Sequence, residues 1–85
     1  MKRPVDFLTS LQPGIRLRVS YPASTGRVEE GTIACLSIDT GIHLDNGWVV
    51  WLDTLMRCGV CVSENLEWME CFGRLGQVWV KIEKI

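Results

Sequence analysis

The chain has 85 residues, 47% of them hydrophobic, and carries nine Lys and Arg, ten Asp and Glu and one His, for a formal net charge of −1. That length builds one modest core and leaves no room for a dinucleotide-binding fold, a kinase or a large barrel enzyme. A charged fraction of 22% at near-neutral balance lacks the low-hydrophobicity, high-charge pattern of disorder, so one folded domain over residues 1–85 is expected. The longest uninterrupted apolar stretch, Trp48–Leu52, is far short of the about 20 residues that cross a bilayer as a helix, which argues against a membrane association. Met1–Lys2–Arg3 is basic, but Pro4 and Asp6 stand where a signal peptide begins its apolar run, and the cytoplasm is the expected compartment.

Pro4 suits the first turn of a helix, and Val5, Leu8 and Leu11 follow at helical spacing with Phe7 widening the stripe and Asp6 near the positive end. Pro13–Gly14 stops it, so a short helix is predicted over about residues 4–11. The period then becomes two. Ile15, Leu17, Val19 and Tyr21 alternate with Arg16, Arg18 and Ser20, the pattern of a half-buried strand. Residues 22–26 form a loop. From Arg27 to Ile38 the apolar positions do not keep one parity, and Gly31 is the expected place for a bulge that curls the sheet.

Turns at Asp39–Gly41 and Asp45–Gly47 bracket a short strand, Ile42–Leu44, and lead into a strand at Trp48–Leu52. Asn46–Gly47 is a strong hairpin signal because both residues tolerate positive φ. Asp53–Arg57 is long enough for one helical turn only. Cys58–Ser63 and Leu66–Cys71 form a further hairpin around Glu64–Asn65, or else Leu66, Met69 and Phe72 mark a helical stripe. Val78–Ile82 reads as the last strand. Five to seven short strands divided by turns predict a mainly β fold, a small antiparallel barrel over residues 14–63 with 64–85 adding C-terminal strands or an extension. The order of a long bent strand, a tight hairpin, a helical turn and further strands resembles the SH3-like small barrels, a group that includes Tudor-type modules; no motif narrows this to a family.

Charge is uneven along the chain: residues 1–28 carry +4, residues 29–70 carry −7 and residues 71–85 carry +2. Separate faces built from these segments would make an electrically two-sided domain.

Chemistry-bearing constellations are sparse. Cys58 and Cys61 have the two-residue spacing of a zinc knuckle, but Cys35, Cys71 and His43 supply no second paired motif. A redox role for the pair needs a helix after it that lowers the thiol pKa, and none is predicted. The cysteines are expected as core or surface thiols, with no disulfides, metal or cofactor. His43 shares a strand face with Asp45, yet no nucleophile elbow, phosphate loop or HExxH motif accompanies them, and no catalytic residues are assigned. The acid pairs Glu29–Glu30 and Glu67–Glu70 read as solvated surface.

Four tryptophans in 85 residues are the most unusual feature. If Trp48, Val50 and Leu52 face the core along with Val78, Val80 and Ile82, then Val49, Trp51 and Trp79 lie outside, where indoles commonly anchor protein interfaces. The leading expectation is therefore a non-enzymatic interaction module that self-associates or binds a host protein, as an accessory or inhibitor protein of a mobile element does. A second reading, disfavoured by the acidic balance, is a nucleic-acid-binding barrel using Arg16, Arg18 and Arg27. A third is an oligomeric enzyme whose site forms between subunits.

Overall fold

The structure, a computed structural model, describes residues 2–51, 53 and 59–85. Among the described residues a helix, α1 (Pro4–Ser10), precedes seven strands: β1 (Arg16–Ser20), β2 (Val28–Ser37), β3 (Gly41–Leu44), β4 (Val49–Trp51), β5 (Gly59–Val62), β6 (Trp68–Phe72) and β7 (Val78–Lys84). They form one antiparallel sheet in the order β4-β3-β2-β1-β7-β6-β5. Val50 of β4 and Val80 of β7 line the same groove although three strands lie between them in the sheet, so the sheet curls strongly. Among the described residues no pairing joins β4 to β5, and the sheet is not closed. The helical turn expected over 53–57 lies, apart from Asp53, outside the described residues, as do Leu52 and Cys58.

The helix begins as its sequence predicts, with Pro4 in the first turn and the Asp6 carboxylate accepting the Arg3 backbone N–H at 2.8 Å. β1 keeps strict alternation: Leu17 and Val19 are buried and Arg16, Arg18 and Ser20 face outward. Gly31 does not form the bulge. It pairs with Leu17 in regular register, and a Cβ there would stand 3.0 Å from Asp45 Oδ1 and 3.2 Å from Leu44 Cβ, so glycine serves close approach of the β3–β4 turn. The register shift falls instead between Ile33 and Cys35, which explains why the apolar parity of this segment changes after Ile33.

The β3–β4 hairpin forms around Asn46–Gly47, but only Gly47 takes positive φ, at 88°. The Gly47 N–H donates to Leu44 O and the Leu44 N–H to Trp48 O, a three-residue turn ending in a glycine bulge. Asn46 contributes through its side chain: Oδ1 accepts the Trp48 N–H and Nδ2 donates to Glu30 O. Residues 68–72 are strand, which excludes the helical stripe. The turn before them is held by Ser63 Oγ, which accepts the N–H groups of Glu67 and Trp68. β6 and β7 belong to the same sheet as β1, and β7 lies directly beside it, so residues 64–85 are not an appendage to the earlier strands.

Phe7 and Leu11 enter one core with Leu17, Val19, Ile33, Ile42, Leu44, Val50, Met69, Cys71, Val80 and Ile82. A seven-residue helix has little stability of its own, so burial of Phe7 is what holds α1 against the sheet. Lys84 reinforces it, its Nζ donating to Ser10 Oγ and lying 5.4 Å from the Phe7 ring centroid. In denaturant unfolding, Phe7→Ala is expected to lower stability by about 3–5 kcal/mol. Val5→Ala, at a half-exposed position of the same helix, is expected to change it by less than about 0.5 kcal/mol.

Candidate functional site

None of the four tryptophans belongs to the buried core, and they divide by strand parity. Trp48, just before β4, and Val49, at its start, are half-buried, Val50 is buried, and Trp51 projects outward with 55% of its surface exposed. In β7 the buried Val80 and Ile82 alternate with Trp79, which is 38% exposed. Trp68 lies on the outer face of β6, where Lys81 Nζ sits 5.6 Å from its ring centroid.

Trp51 borders an open groove of about 370 Å³ formed with Tyr21, Gly47, Trp48, Val49, Val50 and Val80. Its walls combine three aromatic side chains with three valines. Tyr21 and Trp48 meet edge to face at 5.9 Å, and the Trp48 indole N–H donates to the Tyr21 hydroxyl at 2.8 Å, which satisfies its one polar atom. The Arg27 guanidinium lies 4.4 Å from the Trp48 ring centroid and is itself held by Glu29 at 2.8 Å. Burial pushes the Tyr21 hydroxyl above its ordinary pKa; Glu29 adds to this, while the Trp48 hydrogen bond and the Arg27 charge oppose it.

Trp79 borders a different depression, of about 780 Å³, with Gly59, Phe72, Gly73, Arg74, Leu75 and Gln77. The two linings share no residue. Of the expected contact residues, Val49 and Trp51 therefore come together and Trp79 stands apart. Gly73 makes the second depression possible: a Cβ there would collide with Nε1 and Cδ1 of Trp79. Tyr21, Arg74, Leu75 and Gln77 escaped the sequence reading. The signal was present in the pair Gly73 and Gly76 flanking Arg74–Leu75 between two strand patterns, which marks a turn that presents those two side chains.

The arginines do not form a basic face. Arg18 donates from Nε to Glu30 at 2.9 Å and lies 3.9 Å from Glu83, which in turn is 3.6 Å from Lys81. The Glu30 hydrogen bond and charge hold the Arg18 guanidinium protonated above its ordinary value. Arg27 is committed to Glu29 and Trp48. Only Arg16 of the three has no ion pair among the described residues. The basic N-terminal and acidic central segments thus meet cross-strand instead of forming separate faces, because the β1–β2 register sets Arg18 opposite Glu30.

His43 bonds Thr40, with Nε2 2.6 Å from Oγ1. Asp45 is not its partner: the Asp45 carboxylate accepts the Thr32 backbone N–H at 3.0 Å. Cys35 and Cys61 are exposed and Cys71 is buried in the core. Among the described residues no three His, Cys, Asp or Glu side chains converge on a metal site. No described helix is long and apolar enough to cross a membrane. No protein-family model, curated protein or solved structure matches the chain.

Tyr21 is the sole tyrosine, so tyrosinate absorbance reports on this groove alone. Its titration midpoint in the folded protein is expected above the ordinary value of about 10, returning to it in denaturant. Because the folded-state value is the raised one, this contribution to stability is complete below about pH 10 and is lost as the pH rises through the folded midpoint. Tyr21→Phe should abolish that alkaline loss.

Proposed function

We propose that the chain is a non-enzymatic protein-interaction module, a small SH3-like barrel that binds a host protein or a second copy of itself through Trp51 and Trp79. The barrel reading draws on the seven antiparallel strands, their strong curl and the short helix. The observation that carries the functional reading is the separation of the indoles from the core. Among the described residues twelve buried hydrophobic side chains, none of them tryptophan, form the core, so Trp51 and Trp79 lie outside it. Each instead borders an apolar depression. Large, partly exposed aromatic side chains in such a setting are the residues that dominate the energetics of protein contacts.

Nucleic-acid binding receives less support. Arg18 and Arg27 already neutralise Glu30, Glu83 and Glu29, and their release onto phosphates would strand those carboxylates.

Trp51→Ala and Trp79→Ala test the proposal, since neither removes a buried side chain and both variants should fold. Sedimentation gives the oligomeric mass, and capture on immobilised protein, after nuclease treatment, gives partner retention. At least one of the two readouts is expected to fall, with a loss of roughly thirtyfold in affinity for a dominant anchor. If both variants match the parent in both readouts, the proposal is wrong.

A further inference from the structure

The β6–β7 turn presents an exposed leucine, Leu75, with 91% of its surface open, at a position the chain holds firmly. The Gly73 N–H donates to Gln77 O, the Gly76 N–H to Gly73 O, and Gly76 takes a φ of 79°. The Leu75 N–H donates to Gln77 Oε1 at 3.0 Å. These bonds build a three-residue hairpin turn that projects Arg74 and Leu75. Beside it, Phe72 and Trp79 supply the apolar floor of the depression.

The polar side-chain groups of this lining all have one sense. Gln77 uses its oxygen on the Leu75 N–H, which leaves its Nε2 as a donor. The Trp79 indole N–H and the Arg74 guanidinium are donors only. None of the three has a protein acceptor among the described residues. Arg74 is the one charged residue of the lining. The nearest acid along the outer face of β6, Glu70, is set opposite Lys81. A cation, two neutral donors and the apolar side chains of Phe72 and Leu75 complement a carboxylate adjoining an aliphatic group.

We infer that the Trp79 depression binds an acidic peptide segment of a partner protein, with a carboxylate on Arg74, Gln77 and Trp79 and an aliphatic side chain against Phe72 and Leu75. This rests on the interaction-module reading and names the partner chemistry for one of its two surfaces. A pre-formed turn lowers the ordering cost of binding, which suits recognition of a short segment.

The four indole N–H signals of the isotopically labelled protein give one reporter for each tryptophan. The probe is a short acetylated peptide alternating leucine and glutamate, with glutamine-for-glutamate and lysine-for-glutamate controls and free glutamate as the small carboxylate. The acidic peptide is expected to shift the Trp79 signal saturably, with binding that weakens as salt is raised. Arg74→Glu, at a solvent-exposed position, should weaken it roughly tenfold or more and confer a response to the lysine peptide. Equal binding of the glutamate and glutamine peptides, no Trp79 shift, or an equal response to free glutamate would overturn the inference. So would a dimer in the absence of peptide that Arg74→Glu dissociates, because the occupant would then be a second copy. A shift confined to Trp51 would defeat this inference while leaving the interaction-module reading intact; that reading fails separately, on the alanine variants at 51 and 79.

Discussion

The position of β1 between β2 and β7 governs the whole arrangement. Leu17 pairs with Gly31 on one side and Lys84 on the other, and Val19 with Glu29 and Ile82, so the second strand of the chain's first hairpin and its last strand share one central partner. Because side chains alternate with a period of two, this register also decides which face of every neighbouring strand is dry. A slip of one residue would turn Arg18 into the core and Leu17 into water. Burial of Leu17, Val19 and Ile82 on one face makes such a slip costly.

The same register sorts the charges. It places Glu30, Arg18, Glu83 and Lys81 as a row across β2, β1 and β7, all on the outer face. Exposed pairs of this kind contribute little to stability. Their consequence here is electrostatic: they cancel the basic and acidic excesses of the first two segments of the chain over much of the outer face. Arg74, at the far end of the β6–β7 hairpin, is left outside this row; it has no ion pair among the described residues and stands beside the exposed apolar side chains of the Trp79 depression. In the Trp51 groove, by contrast, the Trp48 N–H is already bonded to the Tyr21 hydroxyl.

Much of this was legible where local rules act alone. The Pro4 start of the helix, the alternation from Ile15 to Tyr21, and the outward parity of Trp51 and Trp79 all follow from spacing within a few residues. The β2 segment was harder to read because its bulge, between Ile33 and Cys35, resets the parity at a point marked by no glycine or proline. Gly31, which looked like the bulge, answers to a contact with Asp45 that is distant in sequence. The Trp48–Tyr21 hydrogen bond spans 27 positions and the β1–β7 pairing nearly the whole chain, and no pattern confined to one strand encodes either. Local rules identified Asn46–Gly47 as a hairpin but assigned Asn46 a backbone role, whereas its side chain does the bonding.

Among the described residues the buried core is built without tryptophan, and the indoles at 51 and 79 are in contact with water. Hydrogen exchange of the four indole N–H groups, followed by nuclear magnetic resonance in the intact protein, tests it directly. Fast, nearly unprotected exchange is expected at Trp51 and Trp79, and slower exchange at Trp48, whose N–H is held by the Tyr21 hydroxyl. Protection of Trp51 and Trp79 comparable to that of the backbone amides of Leu17 and Val19 would contradict it.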